Sequence, residues 1–260
     1  AVGGVYNYGT RDLTLGFAAL DITENFRTET GYLNREGVSR ARAYVGPKFY
    51  PSDSVIQRVD IVGATEHTYD KFSSIWESYN YIEGRLVLPK RTNIGLTYNY
   101  STEVFQGEEF DTTGIKLRGS SQINRKLYLN ASVGQGGAIY YALDPYQGDS
   151  QNISAILRYQ ATSKIEARVD YTYANFVRRS NDERIYDYAI TRGKLTYQVN
   201  KYLFFRGILE YNSFHKELTT DFLASFLYIP GTVIYFGYGS LYERIEWQDG
   251  RYVPADRFLE

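Results

Sequence analysis

Residues 164–177 read KIEARVDYTYANFV, and as far as Tyr173 the polarity changes at every residue. Lys164, Glu166, Arg168, Asp170 and Thr172 alternate with Ile165, Ala167, Val169, Tyr171 and Tyr173. A β-strand sends successive side chains to opposite faces, so this stretch has one wet face and one greasy face. A soluble sheet packs the greasy face into a core. An outer-membrane barrel turns it to lipid and lines a lumen with the charges.

The same period recurs in GIKLRGSSQ (114–122), KLYLNASV (126–133), NISAILRYQ (152–160), TRGKLTYQVN (191–200) and YLFFRGILEYN (202–212), and a helical period rarely competes with it. No linker or shift of composition divides the chain, which reads as one all-β unit over residues 1–260. Short turn-like links fall at LDITEN (20–25), PSDS (51–54), LPKRT (88–92), INRK (123–126), ATSK (161–164), VNK (199–201) and IPGT (229–232). Between them come longer or more charged links at NREG (34–37), EHTYDKF (66–72), FQGEEF (105–110), LDPYQGDS (143–150), RRSNDER (178–184), SFHKEL (213–218) and YERIEWQDGRY (242–252). Tight turns alternating with longer loops are the habit of up-and-down outer-membrane barrels, and the links delimit roughly 15 strands.

The apolar positions also bear on the choice. Leu203, Phe205, Gly207, Leu209 and Tyr211 share one face of a strand whose other face carries Arg206, Glu210 and Asn212. Ile153, Ala155, Leu157 and Tyr159 stand opposite Asn152, Ser154, Arg158 and Gln160. Unpaired ions in a dry core cost several kcal/mol each, and in a water-filled lumen little. The apolar faces mix Ala, Gly, Tyr and Thr with larger aliphatics, which suits lipid better than a sandwich core. The 27 Tyr and 14 Phe fit a surface that is apolar on one side and wet at the tip. No run approaches the ~20 apolar residues of a spanning helix, and a barrel strand needs none. The chain has no Cys, which excludes disulfides and thiolate chemistry, and no Met.

Extending the facing rule puts Arg27, Arg40, Arg42, Arg58, Arg85, Lys116, Arg118, Lys126, Arg158, Lys164, Arg168, Arg192, Lys194 and Arg206 on the wet face. The acids there are fewer: Glu29, Asp60, Glu77, Glu83, Glu166, Asp170 and Glu210. The formal net charge is −1, and Glu108, Glu109, Asp111, Asp144, Asp149, Asp182 and Glu183 in the longer links hold much of the balance. Two readings of the basic face stand side by side. Rings of Arg and Lys favour anions in a pore. Alternatively, cross-strand pairs such as Arg168–Asp170 and Arg206–Glu210 stiffen the wall and select nothing.

Catalytic chemistry has little support. His67 and His215 both fall in longer links, and Ser213 beside His215 shares a loop without forming a positioned pair. GQGG (134–137) opens no helix and reads as a strand kink or a close backbone approach. EEFD (108–111) offers oxygen ligands without the spacing of a Ca²⁺ loop. The expectation is a protein that is not an enzyme and uses no cofactor or metal. Its near-neutral charge gives no ground for nucleic acid as a partner.

The blocks ALDITENFRTETGYLNREGVSRARAYVGPKFYP (19–51), GEEFDTTGIKLRG (107–119), ITRGKLTYQVNKYLFFRGILEYN (190–212) and FLASFLYIPGTVIYFGYGSLYE (222–243) resemble the C-terminal β-barrel of a large family of envelope proteins of unknown function, common in Bacteroidota. In that family the barrel usually follows a module resembling a family-nine carbohydrate-binding domain. That module has no counterpart here, so sugar recognition carries over to no residue. The family's last strand ends in an aromatic, whereas this sequence stops at RFLE (257–260). The alternation likewise calls for one more strand after Tyr252, giving a transmembrane antiparallel up-and-down barrel of about 16 strands. The resemblance implies a bacterial outer membrane, with its lipid and lipopolysaccharide as the surroundings. Two roles follow. One is porin-like passage or uptake of polar or anionic solutes, sugar-derived ones included, through a basic lumen. The other is a non-conducting barrel that anchors other envelope proteins.

Overall fold

The computed structural model describes residues 1–27, 35–52, 54–229, 231–243, 245–248 and 251–254, with side chains through Tyr242. The strands in order are β1 (Val2–Gly9), β2 (Leu13–Ile22), β3 (Val38–Phe49), β4 (Arg58–Asp70), β5 (Ile75–Leu88), β6 (Thr92–Phe105), β7 (Glu108–Asp111), β8 (Gly114–Gln122), β9 (Leu127–Tyr140), β10 (Tyr146–Gln160), β11 (Ile165–Arg178), β12 (Arg184–Gln198), β13 (Leu203–Asn212), β14 (Glu217–Ile229), β15 (Thr232–Glu243), β16 (Ile245–Gln248) and β17 (Arg251–Pro254). They form an up-and-down antiparallel sheet of 15 strands in the order β1 to β6, then β8 to β15, with β7 attached to β6. β16 and β17 make a separate two-stranded sheet. Among the described residues the path runs from β1 to β15 and does not close between them.

The chain divides into two compact units, residues 1–119, 133–151 and 176–185 in the first, and 120–132, 152–175 and 186–260 in the second. In the first unit the register sorts every residue to a face. Arg40 pairs with Leu20 and Thr68, Arg42 with Ala18 and Glu66, Thr68 with Glu77, and Asp60 with Arg85. Paired residues project to the same side, so the charges of β3, β4 and β5 gather on one face. β6 continues it with Asn93, Gly95, Thr97, Asn99 and Ser101, set opposite Val87, Arg85, Glu83, Tyr81 and Tyr79. The other face carries Phe17, Val45, Ile61, Trp76, Ile82, Ile94, Leu96, Tyr98 and Tyr100, all exposed. Asp60, Thr68, Asp70 and Ser101, on the charged face, are buried. That distribution is the reverse of a soluble sheet's.

The second unit repeats the pattern. Arg192 stands opposite Glu210, Thr196 opposite Arg206, and Ile208 opposite both Lys194 and Asp221. The reverse face of β12 to β15 shows Leu195, Tyr197, Leu209, Tyr211, Phe222, Phe226, Ile234, Phe236 and Tyr238, again exposed. Three of its turns share one construction at a spacing of 38 residues, at Gln122, Gln160 and Gln198. Each Gln donates its side-chain amide to two backbone carbonyls across the turn: Asn124 and Leu127, Thr162 and Ile165, Asn200 and Leu203. Asn124, Thr162 and Asn200 in turn accept from two backbone amides each. This satisfies peptide groups where the ladder ends.

Several expected links move. The chain turns first at residues 10–12, between β1 and β2, and most of LDITEN belongs to β2 or its end. β2 pairs directly with β3; the strand expected between LDITEN and NREG falls largely on residues 28–34, outside the described residues. EHTYD is strand, because β4 runs to Asp70, and β10 begins at Tyr146 inside the expected LDPYQGDS link. In β4 the charged residues keep the alternation going: Glu66 and Asp70 stand on the wet face with Asp60. YERIEWQDGRY carries β16 and β17, and residues 255–260 lie outside the described residues. GQGG is a close approach: a Cβ on Gly136 would stand 2.6 Å from the Thr113 carbonyl oxygen, and one on Gly137 2.3 Å from that of Asp111.

Candidate functional site

The charged face of the first unit is built from pairs bridging neighbouring strands. Asp60, its side chain only 4% exposed, lies between two guanidiniums. It accepts from Arg85 Nε at 2.9 Å and Nη2 at 2.5 Å, and from Arg58 Nη2 at 3.1 Å. Asp60 and Arg85 are direct cross-strand partners, so the pleat aims both at one point. Arg118 of β8 reaches Glu83, which also accepts from Thr97 at 3.4 Å. The Arg118 side chain runs close over Gly95, where a Cβ would stand 3.0 Å from its Nε. Arg40 Nε donates to Thr68 Oγ1 at 3.1 Å and lies 3.5 Å from Glu66, while Arg42 approaches the same carboxylate at 4.0 Å. Arg35 bonds Asp70 and, at 2.6 Å, Glu77, whose Oε1 also accepts from the Val104 amide at 2.7 Å.

In the second unit Arg168 grips Asp170 on its own strand with three hydrogen bonds of 3.0, 2.8 and 2.6 Å. Arg192 stands 3.7 Å from Glu210, and Arg206 3.4 Å from Asp221. The expected Arg206–Glu210 pair is therefore corrected. Those two residues are four positions apart along one extended strand, about 13 Å at the usual rise, and the antiparallel register gives each a closer partner on the next strand.

Eight expected wet-face cations thus have carboxylates: Arg40, Arg42, Arg58, Arg85, Arg118, Arg168, Arg192 and Arg206. Lys116, Arg158, Lys164 and Lys194 have none within ion-pair distance among the described residues, and Lys164 sits in the turn before β11. Lys126 likewise occupies a turn, donating to the Ala161 carbonyl at 2.8 Å, and Arg27 follows β2 outside any strand. Glu29 lies outside the described residues. The sequence reading missed Arg35, Glu66, Asp70 and Asp221. For the three acids the signal was present as a polar residue at every second position of EHTYD (Glu66, Thr68, Asp70) and of TTDF (Thr219, Asp221), and their inclusion leaves the face less basic than expected.

The longer links hold structural chemistry. Arg179 donates to Asp149 at 3.2 and 2.6 Å and to Asp111 at 3.1 Å, and these two carboxylates raise its pKa. Asp111 of the EEFD stretch is thereby committed to a cation. The Tyr141 hydroxyl donates to Glu103 at 2.8 Å, and the neighbouring carboxylate raises the pKa of the phenol. His67 lies on β4, facing Ala41 and Ser78, rather than in a loop. His215 does lie in a turn, its ring against Phe214, and Ser213 Oγ accepts from the Ala189 amide at 2.7 Å. Among the described residues no three His, Asp or Glu side chains are placed to hold a metal ion.

The fold and the charged faces define an all-β, up-and-down antiparallel protein in which each unit carries one charged and one exposed apolar face. No protein-family model, no characterised protein and no solved structure matches the chain.

Proposed function

We propose that the chain is a transmembrane β-barrel of a bacterial outer membrane, passing small polar solutes along a charged, water-filled wall. The observation that carries this reading is the inversion of polarity: Trp76, Ile82, Leu96 and Tyr100 are exposed on one face while Asp60 and Ser101 are buried on the other. Lipid accounts for the exposed apolar face, since soluble chains rarely leave so much contiguous apolar surface bare. Dimensions agree. From Leu218 to Tyr228 the apolar face of β14 spans about 33 Å along the strand, or about 25 Å once tilted, which matches the hydrocarbon band of such barrels. Aromatics toward strand ends, such as the Tyr69–Trp76 pair with ring centroids 5.1 Å apart, suit the membrane interface.

Most guanidiniums on the wet face are neutralised, so the wall is stiffened by ladders and its selectivity is mild. Lys116, Arg158 and Lys194 supply the remaining bias toward anions. Purified protein reconstituted into a planar bilayer under a KCl gradient tests this. The expected result is detergent-dependent solubility, insertion, and a reversal potential showing weak anion preference. A chain that stays monomeric without detergent and ignores vesicles refutes the membrane reading. Insertion without conductance replaces passage by the anchoring role.

A further inference from the structure

We infer that the charged face of the second unit holds a binding site for a small oxyanion, centred on Lys194. A cavity of about 370 Å³ is lined there by Arg168, Asp170, Thr172, Arg192, Lys194 and Glu210. Three cations meet two carboxylates, and the geometry says where the excess charge resides. Arg168 is held by Asp170 through three hydrogen bonds of 3.0 Å or less. Arg192 is only loosely engaged, 3.7 Å from Glu210 and beyond hydrogen-bond reach. Lys194 has no carboxylate within 4.0 Å among the described residues, and its partner on β13 is the apolar Ile208. Its ammonium keeps three donors free for a guest.

The alternation puts these groups on one side. Arg168, Asp170 and Thr172 are successive same-face positions of β11, Arg192 and Lys194 are successive ones of β12, and β12 is hydrogen-bonded to β11. An oxyanion seated over Lys194 collects its ammonium, the spare donors of Arg192 and the Thr172 hydroxyl. Charge-assisted bonds of this kind are the strong ones. The two carboxylates keep the site from over-binding, which a site on a solute's path needs if the guest is to leave. Carboxylate, phosphate and sulfate share the required chemistry.

The inference rests on the wet face being open to water, as proposed above, but its test does not depend on insertion or conduction. The full chain in detergent micelles is titrated with inorganic phosphate at low ionic strength by isothermal titration calorimetry. One site is expected. Lys194→Gln should weaken binding about tenfold or more, the size of a lost charge-assisted contact. Lys116→Gln, an unpaired cation in the other unit, should bind as the wild type does. Glu210→Gln should tighten binding several-fold, because it frees Arg192 and removes a repelling charge, and a misfolded variant gives no such gain. Wild-type protein that binds no phosphate overturns the inference, as does equal binding by Lys194→Gln, or weaker binding by a folded Glu210→Gln. If vesicles conduct while phosphate fails to bind, only this inference falls. If phosphate binds while vesicles are ignored, the membrane reading falls alone.

Discussion

Leu96 and Thr97 are adjacent on β6 and point to opposite faces, so one substitution made at each separates lipid from water. Leu96 is 49% exposed between Ile94 and Tyr98, with Gly84 as its cross-strand partner. If that face meets hydrocarbon, Leu96→Arg places a guanidinium near the middle of the apolar band. The cost there is about 2–4 kcal/mol, which is about 30-fold to several hundred-fold in the folding equilibrium. If the same face meets water, a half-exposed Leu replaced by Arg changes stability by no more than about 0.5 kcal/mol. Thr97 faces Glu83 and the Arg118 guanidinium on the charged side. Thr97→Arg adds a cation to a wall that already hosts several, and should stay within about 1 kcal/mol in a solvated lumen. The assay is reversible urea unfolding of folded protein in phospholipid vesicles, followed by Trp fluorescence. A Leu96→Arg loss of at least about 2 kcal/mol, with Thr97→Arg little changed, is the expected outcome. Two near-neutral variants would refute lipid contact. A larger loss at Thr97 than at Leu96 would mean that the charged side is the dry one.

Removing the carboxylate at Asp60→Ala strands two guanidiniums beside a buried position and should cost about 3–5 kcal/mol, read from the same unfolding curves. Asp170→Ala, whose side chain is 29% exposed and hydrogen-bonds one Arg, should cost distinctly less. Gly137→Ala drives a methyl to 2.3 Å from a backbone oxygen, which no side-chain motion relieves; a loss of about 1–3 kcal/mol is expected. Gly193→Ala, with nothing within 4 Å of its Cβ, should remain folded and near neutral. Gln160→Ala removes two turn hydrogen bonds of 2.7 and 3.3 Å and should lower stability by about 1 kcal/mol, measured as a shift of the urea midpoint.

The strands and their facing were legible because the side-chain period of a strand is strict and survives in the sequence without any partner. Leu203 to Tyr211 and their opposite-face neighbours fall where the alternation puts them. Link positions were less legible wherever charge imitates a loop. Glu66 and Asp70 look like surface punctuation, yet they continue β4 along a wet face. The Arg168–Asp170 pair was legible because both residues lie on one strand, but pairing between strands was not, since such a partner is fixed by register, and register depends on turn length. A short turn at residues 199–202 sets Glu210 against Arg192, and a one-residue change there would put it against a residue of the apolar face. The glycines of GQGG leave open a strand kink or a close backbone approach, and only the structure decides for the approach and names Thr113 and Asp111 as what it meets.

Which cations found carboxylates follows a chemical rule. All eight paired residues of the expected lining are Arg, whereas Lys116, Lys126, Lys164 and Lys194, with Arg27 and Arg158, have no carboxylate within ion-pair distance among the described residues. A guanidinium is planar, weakly hydrated and forked, so it fits a carboxylate across the pleat; an ammonium is compact, strongly hydrated and carried on a flexible stem. Where it is hydrogen-bonded, as Arg85 and Arg168 are, Arg serves as a fixed rung with its charge cancelled at short range. Lys keeps its hydration and contributes an uncancelled field. The bias felt by a solute at this wall then scales with the unpaired residues alone, not with the count of basic residues. Neutralising Lys116 and Lys194 together should abolish most anion preference, whereas Arg118→Gln, by freeing Glu83, should turn the wall toward cations although it too removes one positive charge.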